Sequence, residues 1–401
     1  ILFSSCNTAE PPFVCNDVIG CVNIAPSEPV RIGVLQTLSG NMAAVGIAQI
    51  RGIELALAGR NKQILDHPIE LQIEDERCTS EGGIIAAMTI VADPRIVATL
   101  GTTCSGAAIT AGKIISDAGM VMVSGLNTAP SLTAVAGKRG ANSQLGYFRV
   151  MPSDEMEIQA VAAFIFNELG VTKVATINDG DLYTTNHASA LRRAFTKLGG
   201  EIVLAATINK GDQNMGPVLT AVALSGAELL FLPLFQPEGN LIVQQSVDVE
   251  GLQSLKFLAA DPLFRQDFLE SVDAAATGMY FIAKLAPKSP AFKELVSNYK
   301  VQYGEIPSKP NFGFAYDATN TLVNALEKVA IQEPNGTLHI GRHALREALH
   351  STTDFEGVMG RINCDDFGDC GFGTISIVRF DDMSAGIEGL RSNVIYTHLQ
   401  K

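Results

Sequence analysis

Basic residues are scarce in this chain, with 29 Lys and Arg against 42 Asp and Glu and a formal net charge of −13. Phosphate backbones are held by clustered guanidinium and ammonium groups, so nucleic acid is excluded as a partner. No run of about 20 apolar residues occurs, so no transmembrane helix is expected. No GxGxxG follows the first expected strand and no GxxxxGK[ST] is present, which removes the usual support for dinucleotide or phosphate cofactors. Ser105 in TTCSG and Ser124 in MVSGL both lack the GxSxG elbow that exposes a nucleophilic serine, and neither has a histidine nearby in sequence. A hydrolase is therefore a minor alternative.

Metal chemistry is also poorly supported. CxxC spacing is missing, which argues against a structural zinc site. His339 and His343 are four apart, but Gly341 lies between them and no acid shares their turn, so with His350 they read as a solvated helix face. The acidic stretch NCDDFGDC is too short for a twelve-residue calcium loop and reads as a turn closed by a disulfide. Neither a metal nor a cofactor is expected.

Against these absences stands a hydrophobic content of 47% with 18% charged residues, the composition of a well-packed globular protein. At 401 residues the chain exceeds one ordinary core, and two lobes are expected. The seven cysteines divide into one and six. ILFSSC at the start resembles a bacterial lipobox, which makes Cys6 the expected lipid-anchored residue of an exported protein. The other six allow fifteen pairings. Cys15 with Cys21 and Cys364 with Cys370 are close neighbours in turn-rich loops. Cys78 ends one strand and Cys104 follows the next, at one edge of a sheet. Disulfides agree with export.

Residues 7–28 lack periodicity and read as a tether. From Val30 onward, strand and helix alternate: VRIGVLQ, a Gly-bounded loop, IAQIRGIELALAGRN, IELQIEDER, EGGIIAAMTIVAD. Such alternation signals a parallel sheet covered on both faces. The stretch 97–133 adds a buried strand, a small-residue loop, a helix, a further strand and a second small-residue loop. Both loops follow parallel strands, where ligands of open α/β sheets sit, and the first opens a helix whose N-terminus favours an anion. The run GKRGANSQLGYFRVMPSDEM breaks the alternation and reads as a crossing into a second lobe. A second α/β series then runs over 158–260, with DGDLYTTN as a loop before a helix over 187–198. Beyond Gly278 three helices lack intervening strands and are expected to return to the first lobe, after which a hairpin-like tail joins the second.

The order IEDERC, GTTCS, SGLNTAP and FRVMPSDEMEIQA resembles the type I periplasmic solute-binding proteins of ABC transporters, and specifically the leucine/isoleucine/valine-binding family. The resemblance runs from Val30 to about Phe380. It implies an α/β fold of two doubly wound parallel-sheet lobes joined by a three-segment hinge. The expected division is a tether over 1–28, a first lobe over 29–150 and 282–358, and a second over 151–281 and 359–401. Crossings are expected near 149–153, 281–286 and 357–362.

The same resemblance implies a site. Ser105 would hold an amino acid's α-carboxylate, and Asn127 with Thr128 would supply a carbonyl for the ammonium and donors for the carboxylate. Tyr183 would be the aromatic of the second lobe, and Asp261 the counter-charge of the ammonium. A zwitterion needs donors at one end and an anion at the other, and this set provides both. Phe235, Gln236 and Phe314 are placed at the cleft. The competing readings are a helix cap for Ser105 and for Asp261, with a helix over 262–271, and a surface position for Tyr183. Where many members carry an aromatic in the first loop, this chain has Val45, so that wall of the pocket is less able to stack on a ligand. The implied function is an extracytoplasmic receptor, anchored by lipid alone and without enzymatic activity, that delivers an amino acid or similar carboxylate to an ABC permease. A sensory domain of the same fold, taking an amide or aromatic acid, is the alternative.

Overall fold

The computed structural model describes residues 13–307, 309–371 and 374–399. Cys6 lies outside them.

The first series comprises β1 (Val30–Gln36), α1 (Ala43–Ala58), β2 (His67–Asp75), α2 (Ser80–Val91), β3 (Ile96–Gly101), α3 (Ser105–Asp117), β4 (Met122–Ser124) and β5 (Tyr147–Arg149). Its sheet has the order β2-β1-β3-β4-β5, all parallel, with the short strand Gln63–Ile64 antiparallel on the β2 edge. β1 and β3 are buried along almost their whole length, as central parallel strands covered on both faces must be.

The second series runs α4 (Asp154–Ala163), β6 (Lys173–Asn178), α5 (Leu182–Lys197), β7 (Glu201–Thr207), α6 (Gly216–Leu224), β8 (Leu229–Leu232), α7 (Glu238–Ser246), β9 (Lys256–Ala259), α8 (Gln266–Val272) and β10 (Tyr280–Ala283). Three helices follow, α9 (Pro290–Tyr303), α10 (Phe312–Val329) and α11 (Arg342–His350), and then β11 (Thr374–Arg379), α12 (Gly386–Ser392) and β12 (Val394–Leu399). The second sheet is ordered β7-β6-β8-β9-β10-β11-β12, parallel as far as β10 and antiparallel beyond it. Both parallel portions thus share one winding, with the second strand on one side of the first and the third on the other.

The helices without strands return to the first lobe. Ala315, Leu322 and Leu326 of α10 share a core with Val30, Ile32 and Ile53. At Gly52 a Cβ would lie 2.2 Å from the Phe312 carbonyl oxygen, so glycine is what allows α1 to approach α10 so closely. The tail joins the second lobe through β11 and β12.

Four sequence expectations are corrected. The expected tether contains the strand Cys21–Ile24, which pairs antiparallel with Leu338–Gly341 and buries Val22 and Ile24 in the first core. Asp17 in the same segment accepts the backbone N–H groups of His343 and Ala344 at 3.0 and 2.9 Å and so completes the start of α11. The third crossing falls later than 357–362, because Ile362 and Cys370 are buried in the first core and Cys370 donates its N–H to the Arg149 carbonyl at 2.8 Å. By Thr374 the chain is in the second sheet. Helix α5 begins at Leu182, so Tyr183 lies in its first turn and not in a loop. Finally, 262–271 is a short turn, Asp261–Leu263, followed by α8 from Gln266.

All three expected cysteine pairs are formed: Cys15–Cys21, Cys78–Cys104 and Cys364–Cys370. The last closes the loop carrying Asp369, whose carboxylate pairs with the fully buried guanidinium of Arg149. Removing one partner of such a pair leaves an uncompensated buried charge. Asp369→Asn should therefore cost about 3–5 kcal/mol of unfolding free energy in urea titrations.

A second buried acid yields a pH prediction. Asp317 on α10 accepts N–H bonds from Val358 and Met359 at 2.8 and 2.9 Å, yet burial pushes its pKa up to about 7. A folded-state value above the unfolded one means that its contribution to stability is complete below the unfolded value, about 3.9, and is lost as pH rises through about 7. Thermal melts across that range should show this fall, and Asp317→Asn should flatten it.

Candidate functional site

Where the connections leaving two neighbouring parallel strands turn to opposite sides, a crevice opens beyond the strands' carboxyl ends. In the first sheet this point lies between β1 and β3, and in the second between β6 and β8. The residues after β3 include Ser105, those after β6 include Tyr183, and those after β8 include Phe235.

In the first lobe Glu76 organises the loops. Its buried carboxylate accepts the Thr37 hydroxyl at 2.6 Å and the backbone N–H groups of Cys78, Thr103 and Cys104 at 2.9, 3.2 and 3.2 Å. Thr103 in turn accepts the Thr37 N–H and donates to Gln36. The Cys78–Cys104 bond adds a covalent tie at the same place. Burial nevertheless raises the Glu76 pKa above the usual carboxylate range, against the pull of these donors. Gly101, at φ 143°, leads into the loop, and a Cβ there would lie 2.2 Å from the Leu35 carbonyl oxygen.

Ser105 is the first residue of α3 and makes no cap bond to it. Its hydroxyl accepts the N–H groups of Thr128 and Ala129, both at 3.3 Å, and so joins the two small-residue loops. Asn127 is fully buried: its amide donates to the Thr102 carbonyl at 3.0 Å and accepts the Tyr147 hydroxyl at 3.0 Å. What Asn127 offers a ligand is therefore backbone only. Thr128 remains half-buried.

In the second lobe the Tyr183 ring lies 4.0 Å from that of His187 and 5.4 Å from that of Phe235, which is 38% exposed. Burial and the nearby Glu157, Asp154 and Asp261 raise the phenol's pKa well above its ordinary value. Asp261 sits at the start of its turn without capping it and pairs with Lys309 at 3.3 Å. The Gln236 amide donates to Asp267 at 3.2 Å, and Phe314 lines a cavity of about 490 Å³ among the crossings, with Met151, Leu285 and Val358.

Sequence reasoning missed the group between these halves. Asp154 and Glu157 open α4, one turn apart, and both are buried with His187 and the largely buried Lys284. Lys284 lies 3.0 Å from Glu157, and His187 Nε2 lies 3.4 Å from Glu157 and 3.9 Å from Asp154. Asp154 donates its backbone N–H to the Thr128 carbonyl at 2.9 Å, which links the cluster to the first-lobe loop. Its Oδ1 is buried without a hydrogen-bond partner. Burial pushes the Glu157 carboxyl up, but Lys284 and His187 outweigh it and hold its pKa at about 2. For Asp154 burial wins over the same two cations, and its pKa is raised. His187 is raised by both carboxylates against its burial. The available sequence signal was the D-x-x-E spacing in SDEME, which puts two acids on one helix face.

A family model described as periplasmic binding protein matches residues 29–370. The chain belongs to that family. Among its relatives, the Leu/Ile/Val-binding protein homolog 3 of Brucella melitensis is 27% identical over 356 residues, 88% of this chain and 92% of the relative. An ABC transporter substrate-binding protein from Sphaerobacter thermophilus has a TM-score of 0.76 at 22% identity, covering 93% of this chain and 98% of its own. The branched-chain amino acid binding protein LivJ of Streptococcus pneumoniae, solved in complex with isoleucine, has a TM-score of 0.69 at 22% identity, covering 93% and 100%. The fold is that of type I periplasmic binding proteins, and among the described residues no helix is long and apolar enough to cross a membrane.

The Glu76 network should be sensitive to truncation. Glu76→Ala strips the shared acceptor from four donors, two of them fully buried, and the penalty for leaving even one buried donor unsatisfied is about 1–3 kcal/mol. A drop in unfolding free energy of at least that size is expected in urea titrations.

Proposed function

We propose that this binding protein captures an α-amino acid between its lobes and presents it to an ABC permease. The supporting observation is the opposition of charge across the crevice. The first lobe brings hydroxyls and backbone donors at Ser105, Thr128 and Ala129 beside the N-terminus of α3, where a carboxylate is favoured. The second brings Asp261 and the unpartnered oxygen of Asp154, which suit an ammonium group. Tyr183 and Phe235 form an apolar wall for the side chain.

Relatives named for leucine, isoleucine and valine, and the isoleucine complex of the Streptococcus protein, support an amino-acid ligand. In this reading Ser105, Asn127, Thr128, Tyr183 and Asp261 hold the zwitterion, with Phe235, Gln236 and Phe314 farther out and Asp154 as a second counter-charge. Capture proceeds by hinge closure: the ligand binds one lobe, and its added contacts in the closed state draw the second lobe over. The protein is exported and lipid-anchored at Cys6, with the permease as its partner.

A thermal-shift screen over L-amino acids, amides and aromatic acids tests this. A ligand at a hundred times its Kd stabilises the folded state by about 2.7 kcal/mol, a shift of several degrees. One or more L-amino acids should give it, and Asp261→Ala should abolish it. A flat screen, or chemical turnover of the ligand, would overturn the reading.

A further inference from the structure

His187 has no part in the ligand contacts proposed above, although it is fully buried at the centre of the cluster. Its two nitrogens decide its charge. Nδ1 lies 3.1 Å from the Tyr183 carbonyl oxygen, and Nε2 faces the carboxylates of Glu157 at 3.4 Å and Asp154 at 3.9 Å. Each partner is an acceptor, so with the cleft empty both nitrogens carry protons and the ring sits there as an imidazolium. From the second crossing Lys284 supplies the other cation, and Asp261 acts on both Lys284 and Tyr183.

Two carboxylates and two cations balance, but unevenly. Glu157 has both Lys284 and His187 within 3.4 Å. Asp154 feels Lys284 only at longer range and has His187 at 3.9 Å, too far for a hydrogen bond, and its Oδ1 has no hydrogen-bond partner. Asp154 is thus the member with room for a new cation, and it is also the one joined to Thr128.

We propose that His187 is a positioning residue with a removable charge, standing in for the ligand's ammonium while the cleft is empty and releasing its proton when that ammonium takes Asp154. This rests on the amino-acid reading of the site. A second cation beside Asp154 repels the imidazolium, and the Nε2 proton leaves to solvent. Nδ1 keeps its proton on the Tyr183 carbonyl, so the Tyr183 backbone stays in place, and Glu157 stays ionised against Lys284. Capture of an amine-bearing ligand is therefore coupled to release of one proton, and affinity rises with pH through the titration of His187.

Isothermal titration calorimetry in two buffers of different ionisation enthalpy counts the protons. The ligand is the L-amino acid giving the largest shift in the screen above. The native protein should release up to one proton per ligand near neutral pH, with affinity rising by up to about tenfold per pH unit. His187→Gln should bind with no proton release and with pH-independent affinity. If that variant fails to fold, histidine NMR of the native protein gives the same answer: the titration midpoint of one ring should fall on adding ligand. Binding without proton release, equal release by His187→Gln, or unmoved histidine midpoints would overturn the inference while leaving the binding function intact. Failure of every amino acid to bind would overturn both.

Discussion

A buried guanidinium has five N–H donors and no way to shed its charge, so whatever surrounds Arg149 must supply acceptors. It finds them in Asp369, in the Ala129 carbonyl at 2.8 Å and in the Thr133 hydroxyl at 2.5 Å, while Thr133 itself donates to Asp369 at 2.7 Å. Arg149 ends β5, and the first crossing begins at the next residue. Ala129 follows directly on Thr128, and Asp369 belongs to the segment that precedes the third crossing. One side chain therefore fixes the loop after β4 and the first-lobe ends of two crossings relative to each other. Buried ion pairs are weak contributors to net stability and better suited to specifying one arrangement. Here the arrangement specified is that of the Ala129 loop against the chain on either side of the first and third crossings.

The same economy governs the other side of the crevice. Four ionisable groups lie buried together around α4, and none is tolerable there alone. Glu157 tolerates burial because Lys284 and His187 both reach it. Asp154 is left partly uncompensated because it stands nearest the first-lobe loop, where its Oδ1 has no partner. An imbalance of this kind marks sites more often than it marks scaffolds, since a purely structural cluster loses nothing by closing its last hydrogen bond.

Much of the fold is legible in the chain because its strands are buried on both faces and so read as apolar runs, and because parallel order follows from alternation with helices. Ser105 is expected at the crevice because ligands of open α/β sheets gather after parallel strands, and it does follow β3. The failures have a common cause in non-local pairing. Cys21–Ile24 is four residues long and acquires its identity as a strand only from Leu338–Gly341, more than 300 residues away in sequence. Ile362 reads as a hinge residue and Cys370 as part of the second lobe until the first core is seen to enclose both. Asp154, Glu157, His187 and Lys284 come from three separate segments. A charged residue in sequence is read as solvated by default, and only its partners in space reveal that it is buried.

The two halves of the crevice also differ in what they hold before any ligand arrives, and this bears on the order of events. In the second half each acid already has a cation: Asp261 has Lys309, Glu157 has Lys284, and Asp154 shares His187. In the first half Ser105 and its neighbours are neutral donors whose mutual bonds, at 3.3 Å, are long. Neutral donors give up only these long mutual bonds to take a carboxylate, whereas the acids must exchange one cation for another. In the amino-acid reading, engagement with the first lobe is therefore the undemanding step. The exchange at Asp154 and Asp261 comes only when closure brings the ligand's ammonium close enough to compete with His187 and Lys309. Discrimination then resides in that exchange, since a carboxylate lacking an amine can occupy the first half but has nothing to offer the second.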